Sequence, residues 1–170
     1  MGIEQHKALI QRYVTELNHR NLAILDELVA TDVVVRSLNR TEQTPADVLR
    51  GREAYRAGIL QRLAAFPDYQ VTIVELLAEA DQVMVYWTNQ GTQTGPFRGV
   101  PATGRVIREA AISIYRIRQG QIVEVRGLND SWDFWQQLDM LPPRAPDGGS
   151  MPATEDAPPQ ARSGRGSTAE

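Results

Sequence analysis

The spacing of apolar residues changes at Pro67, and this change constrains the fold more than any other feature of the sequence. Before Pro67, apolar residues recur every three or four positions, as in amphipathic helices. After it, apolar and polar residues alternate along most of the chain up to residue 128, as in strands with one buried face. Helices followed by a series of long strands predict an α+β domain, with helices packed on one face of an antiparallel sheet.

The two spacings predict four helices and five strands within residues 3–141. The helices are expected at 9–17, 22–29 (capped by Asn21), 51–66 and 131–140. The strands are expected at 33–38, 69–79, 82–92, 106–118 and 121–128, with tight hairpin turns at 79–81 and 118–121. A curved sheet wrapped around helices leaves a conical cavity, and such cavities are common small-molecule sites.

Composition and charge exclude several functional classes. The net charge is −3 and no basic stripe is present, which argues against nucleic acid as a partner. The chain has no cysteine, so disulfides, thiolate nucleophiles, Fe–S clusters and Cys zinc sites are excluded. The two histidines, His6 and His19, both fall in the N-terminal helical region, which argues against a His-rich metal site or a Ser-His-Asp triad. We therefore expect no metal site.

The two ends of the chain carry different signals. The N-terminal MGIEQHKALI has no apolar run of the length of a signal peptide or a membrane span, so we expect no membrane partner and a cytoplasmic protein. From Asp139 onward, prolines and small polar residues replace large apolar ones. Such a segment cannot bury enough surface to offset its ordering entropy. We therefore predict one domain over residues 1–142 and a disordered tail over 143–170.

Several motifs occur in the order and spacing of one family. They are HKALIQRYVTELNHRNLAILDELVATDVVV (6–35), AAFPDYQVTI (64–73), VYWTNQGT (85–92), GTQTGPFRGVPATGR (91–105), RQGQIVE (118–124) and DSWDFWQQLDML (130–141). With these the chain resembles, over essentially all of residues 3–141, the SnoaL-like polyketide cyclases (ester cyclases) of the NTF2-like superfamily. The resemblance implies an NTF2-like cone and a homo-oligomer, expected to be a homodimer. It also implies cyclase, isomerase or lyase chemistry in secondary-metabolite and antibiotic biosynthesis. The reaction would be ring closure of a polyketide-like carbonyl substrate by aldol condensation, without metal or organic cofactor.

The resemblance implies a catalytic role for Asp130. The family's acid/base is an aspartate six residues before a Gln-Gln-Leu run, and Asp130 stands six residues before the run at 136–138. From the residues alone, Asp130 could instead cap the helix that follows. Asn129 and Ser131 are rival caps, so we predict that Asp130 moves the proton and a neighbour caps the helix. Burial among aromatic groups would raise the pKa of such a carboxylate and make it a competent base.

The chain departs from the family at three positions that often hold histidine. It has Glu124-Val125-Arg126 where many relatives read Glu-His-Trp, and Gly91-Thr92-Gln93 where they read Gly-Thr-His. It has Val35-Arg36 in place of a common Asp-His pair. The resemblance therefore does not extend to histidine-assisted chemistry. These losses also keep open a second class of function, a non-catalytic dimer that binds an apolar ligand or a partner protein.

Five further residues are predicted to bind substrate: Arg126, Trp87, Gln93, Tyr115 and Arg36. Trp87, which matches a tryptophan usual in the family, and Tyr115 lie on central strands, where they would wall a flat substrate or only pack the core. Gln93 would hydrogen-bond a substrate oxygen or brace the loop that follows it. Arg36 would reach the substrate or remain a solvated charge at the edge of the sheet.

Arg126 leads to a second enzymatic reading. By strand alternation it shares a face with Leu128 and Asp130, so it either enters the same cavity or faces solvent. If it pairs with Asp130, it lowers the pKa of that carboxyl group. An Asp–Arg pair is also the means by which epoxide hydrolases of this superfamily activate water and epoxide, and hydroxylase-type chemistry belongs to the same alternative.

Two remaining segments carry structural expectations. The loop 93–105 is rich in glycine and proline but lacks a GxGxxG motif and lysine, so it predicts a rim or lid and no phosphate site. Trp132 and Trp135 are expected to anchor the last helix or a subunit interface.

Overall fold

The computed structural model describes residues 2–38 and 48–141, so the predicted tail at 143–170 lies outside the described residues. Within these two ranges the chain forms four helices: α1 (Ile3–Asn18), α2 (Ile24–Leu28), α3 (Arg52–Ala65) and α4 (Ser131–Gln137). The same ranges hold six strands: β1 (Val29–Ser37), β2 (Val48–Arg50), β3 (Gln70–Glu79), β4 (Gln82–Thr92), β5 (Val106–Arg118) and β6 (Gln121–Asn129). None of the described helices combines the length and the apolar character needed to cross a membrane.

The strands form one mixed sheet in the order β2-β1-β6-β5-β4-β3. The prediction of an α+β domain with a long antiparallel meander is confirmed, because β3 to β6 pair with their neighbours in antiparallel fashion. The prediction of a wholly antiparallel sheet is wrong at one pair, since β1 runs parallel to β6. These two strands are joined by residues 38–120, and a connection of that length permits either direction.

Local differences from the predicted elements have simple causes. Strand β2 has only three residues, too few for alternation to reveal it. Helix α2 is capped by Ala23 rather than by Asn21, whose side chain instead donates to Glu16 (2.7 Å). Strand β1 begins at Val29, four residues before the predicted start, so the second helix is shorter than predicted.

Strand β5 shows which face of the sheet is inside. Its odd-numbered residues from Ile107 to Ile117 are buried, whereas the even-numbered ones are exposed or half-buried. The pairing with β6 places Tyr115 opposite Val125 on the inner face and Ile114 opposite Arg126 on the outer face. The inner face packs against α1 and α2 in the main apolar core.

A second, smaller apolar cluster attaches α4. Its buried members are Ala65, Phe66, Phe97, Ile107, Phe134 and Leu138. Trp135 packs against this cluster, whereas Trp132 is exposed. The prediction that these residues anchor the last helix is therefore confirmed for Trp135 and wrong for Trp132. The alternative, that they anchor a subunit interface, stays a prediction.

The start of the loop 93–105 depends on a glycine that no other residue can replace without displacement. A Cβ at Gly95 would lie 2.6 Å from the carbonyl oxygen of Ala64. We expect Gly95→Ala to lower the free energy of unfolding by about 1–3 kcal/mol, because the C-terminal end of α3 must shift to make room for the Cβ. Urea denaturation of the full chain measures this change.

The matched control is Gly58→Ala, in the middle of α3, where a Cβ meets nothing within 4 Å. We expect that substitution to stabilise the protein by about 0.5–1 kcal/mol through helix propensity. Equal effects of the two substitutions would contradict the close approach at Gly95.

Candidate active site

The inner face of the sheet and helices α1, α3 and α4 line a cavity of about 590 Å³. This volume lies within the range of small-molecule sites. Aromatic side chains form much of its wall, from both the helices and the sheet: Tyr13, Tyr55, Tyr69, Trp87, Phe97, Tyr115, Phe134 and Trp135. A flat, largely apolar molecule fits such walls.

Trp87 and Tyr115 lie in this cavity, as their predicted role requires. The Trp87 indole N–H donates to the Ser113 hydroxyl (3.0 Å), which fixes the ring against the sheet. Tyr115 packs edge-on against Tyr13, whose hydroxyl is 2.5 Å from that of Tyr55. Burial raises the pKa of the Tyr13 and Tyr115 phenols, so both stay protonated and able to donate hydrogen bonds.

Asp130 caps helix α4. Its Oδ1 accepts a hydrogen bond from the Asp133 backbone N–H (3.0 Å), so the prediction that a neighbour caps the helix is wrong. Asp130 is exposed and does not line the main cavity. It borders a second depression on the outer face together with Ile112 and Leu128. The acid/base role that the family resemblance gives to Asp130 thus stays a prediction.

Arg126 also lies on the outer face, because its strand position is opposite Ile114. Its Nη2 donates to Gln82 Oε1 at 2.5 Å, and it does not line the cavity. Within residues 2–38 and 48–141 no ion pair joins Arg126 to Asp130. Both residues do share one face, as predicted, but that face points away from the cavity.

The side chains of the remaining two candidates, Arg36 and Gln93, interact with other residues of the protein. Arg36 borders the cavity, and its Nε lies 3.6 Å from Glu124 Oε1. Gln93 is fully buried, donates to the Pro101 carbonyl (3.1 Å) and accepts from the Thr103 hydroxyl (2.6 Å). It therefore braces the loop 93–105, which was the structural alternative for this residue. The loop contributes Phe97 and Arg98 to the cavity wall and so forms part of its rim.

The structure brings into the cavity a charged pair that the sequence reading missed. Arg62, on α3, donates from Nη1 to Glu109 Oε2 on β5 (3.2 Å), and the Glu109 side chain is only 3% exposed. Asn129, on β6, donates to the other carboxylate oxygen (3.3 Å). The sequence did contain a signal for this pair. Alternate residues of β5 are buried, and Glu109 is the one charged residue among them.

Aromatic rings surround the Arg62 guanidinium. Its carbon lies between 4.9 and 5.8 Å from four ring centroids, those of Phe97, Phe134, Tyr69 and Phe66. Cation–π contacts of this kind stabilise a cation that has lost part of its hydration. A guanidinium in such surroundings keeps its N–H groups as hydrogen-bond donors, and Nη1 uses one of them on Glu109.

The fold is of the NTF2-like class, as the resemblance implied, and its cavity has the size of a small-molecule site. The family model of SnoaL-like polyketide cyclases matches residues 7–138. The chain belongs to this family. No curated protein matches the chain.

Solved structures agree with this assignment. IdmH from Streptomyces antibioticus, provisionally named a polyketide cyclase, is 29% identical with a TM-score of 0.67; the match covers 79% of this chain and 99% of IdmH. AclR from Streptomyces galilaeus, provisionally named a hydroxylase, is 27% identical with a TM-score of 0.69, covering 83% and 100%. A SnoaL-like protein from Jannaschia is 22% identical with a TM-score of 0.72, covering 83% and 95%, and supports the fold alone.

The capping role of Asp130 can be separated from any catalytic role. We expect Asp130→Ala to lower the free energy of unfolding by about 0.5–2 kcal/mol, because the Asp133 N–H loses its partner. Asp130→Asn keeps a side-chain oxygen that can accept the same bond, and we expect stability close to native. Thermal unfolding of the three proteins tests this, and equal stability of Ala and Asn variants would contradict the cap.

Proposed function

We propose that the protein catalyses cofactor-independent cyclisation or isomerisation of a polyketide-like carbonyl compound inside the cavity. The observation that carries the proposal is an aromatic-walled cavity of about 590 Å³ whose wall holds a half-buried arginine, Arg62, paired with a buried carboxylate, Glu109. Membership of the SnoaL-like family supports the same class of reaction.

The chemistry needs a base and enforced proximity. A methylene between two carbonyls is acidic enough for a carboxylate to remove its proton. The resulting enolate attacks a carbonyl of the same molecule that the cavity holds close, which supplies much of the acceleration. The protonated carboxyl group then returns its proton to the new alkoxide.

Two carboxyl groups are candidates for the acid/base. Asp130 is the residue that the family resemblance indicates, and it lies at the helix cap on the outer side. Glu109 is the carboxyl group that lines the cavity, with its two oxygens bonded to Arg62 and Asn129. Asp130 is supported by family position and Glu109 by geometry, so the experiment must include both.

A second enzymatic reading, epoxide opening or hydroxylation, has an observation in its favour. It requires an arginine beside a carboxylate, and this pair forms between Arg62 and Glu109 rather than between Arg126 and Asp130. AclR, which is similar to this chain, carries a hydroxylase name. Non-catalytic ligand binding is the third reading, and it predicts no turnover with any ligand that binds.

Proton exchange at the activated carbon tests the function without knowledge of the product. We expect the native protein to accelerate hydrogen–deuterium exchange in a panel of β-dicarbonyl polyketide esters and acids, followed by NMR. Loss of one acid/base is expected to slow exchange by about 10²–10⁴-fold. The matched variants are Asp130→Asn and Glu109→Gln, each of which removes one carboxylate and keeps the size of the side chain.

The two variants identify the base when exchange is compared at saturating ligand, where weaker binding no longer contributes. Slow exchange in Asp130→Asn alone then assigns the role to Asp130, and slow exchange in Glu109→Gln alone assigns it to Glu109. No acceleration by the native protein with a ligand that demonstrably binds would overturn the enolate mechanism. Epoxide opening and pure binding would then be the readings to test.

The same family membership leads us to propose a homodimer, formed through the outer face of the sheet. Tyr86, Ile112 and Leu128 stand directly opposite one another on β4, β5 and β6, and each is at least 37% exposed. A cross-strand row of large exposed apolar side chains favours burial against a second copy.

Sedimentation equilibrium tests the dimer. We expect the native chain to sediment as a dimer and Ile112→Asp to shift it to monomer, because an unpaired carboxylate would be buried in the interface. Leu60→Asp is the control, since Leu60 is also exposed (49%) but lies on α3, away from the outer face. A monomeric native chain would contradict the proposal.

A further inference from the structure

The charges that line the cavity do not balance. Among the described residues, the charged side chains of the wall are Arg20, Arg36, Arg62, Arg98 and Glu109. Arg20 donates to backbone carbonyls of residues 17, 18 and 67, and Arg36 pairs with Glu124 outside the cavity. Arg62 and Arg98 remain, and Glu109 is the one carboxylate that the described residues contribute to the wall. This part of the cavity therefore carries an excess of positive charge.

Arg62 has hydrogen-bond donors that the protein does not use. A guanidinium carries five N–H groups, and within the described ranges only Nη1 has a protein partner, Glu109. Both oxygens of Glu109 are already bonded, to Arg62 and to Asn129. Glu109 thus orients the guanidinium and has less capacity to bind a ligand, whereas Arg62 retains N–H groups that have no partner among the described residues.

Arg98 brings a second cation to the same aromatic ring. Its guanidinium carbon is 5.4 Å from the Phe97 ring centroid, and that of Arg62 is 4.9 Å from it. Arg98 is exposed in the rim loop and forms no ion pair with any residue that the structure describes. A negatively charged ligand entering beside Phe97 would therefore meet Arg98 first and Arg62 deeper in the wall, an arrangement that attracts anions.

We propose that the substrate carries a carboxylate and that Arg62 binds it, with Arg98 as the second cation at the rim. The planar N–H edge of an arginine matches the two oxygens of a carboxylate, and such charged bonds are stronger than neutral ones. An ester has no negative charge and is bound less well. Glu109 acts as a positioning residue for Arg62 in this step. The proposal rests on the proposed function in one respect, that the cavity is the substrate site.

A matched pair of ligands tests the proposal. Anthraquinone-2-carboxylate and its methyl ester share one flat aromatic body, and isothermal titration calorimetry gives both affinities. We expect the native protein to bind the acid about tenfold more tightly than the ester, and the preference to fall in Arg62→Gln to about twofold or less. Arg108→Gln is the control, because it removes the same charge from the adjacent, outward-facing position of β5.

A further variant guards against misfolding. Arg62→Gln leaves the buried Glu109 carboxylate without its cation, so the double variant Arg62→Gln/Glu109→Gln removes both charges together. We expect it to fold, still to bind the ester and to lack the preference for the acid.

Equal affinity of the native protein for acid and ester, or a preference that survives in the double variant, would overturn the proposal. The outcome is separate from that of the proposed function, because binding requires no turnover. Acid-selective binding without proton exchange would contradict the proposed cyclase reaction and support the carboxylate-binding site. Proton exchange without acid-selective binding would support the reaction and contradict the carboxylate-binding site.

Discussion

The alternation along β5 is the constraint on which the site depends. This strand pairs with β4 on one side and β6 on the other, so its register fixes the facing of both neighbours. A slip of one residue would turn Glu109 outward and turn Arg108 toward the cavity. The charged wall of the cavity and the apolar row on the outer face are thus two consequences of one pattern, and neither can change without the other.

Stability alone does not account for the Arg62–Glu109 pair. Removing two charges from water costs several kcal/mol per ion before their attraction is counted, and a well-packed apolar pair of similar volume often serves stability as well or better. The protein nevertheless keeps the Glu109 side chain 3% exposed and surrounds the Arg62 guanidinium with four aromatic rings. A fixed cation in a partly dry aromatic wall is useful where negative charge must be bound.

The sequence predicts the elements better than it predicts the site. Helices and long strands follow from periods of 3.6 and 2, and the shared face of Arg126 and Asp130 follows from alternation. Which face is inner does not follow, because β6 carries apolar residues in both phases, such as Val125 and Leu128. The charge at Glu109 in the buried phase of β5 is visible in the sequence. Its contact with Arg62 is not, since 47 positions separate them and only the packing of α3 on the sheet joins them.

The position of Asp130 links its proposed chemistry to assembly. In the single chain its carboxylate is exposed and caps α4 beside Ile112 and Leu128. A second copy seated on the outer face would exclude water from the depression that Asp130 borders, so a catalytic Asp130 would depend on the dimer. A catalytic Glu109 would not, because its surroundings belong to one chain. Proton exchange in Ile112→Asp therefore separates the two: a monomer that retains activity excludes Asp130 as a base desolvated by assembly and leaves the carboxylate inside the cavity.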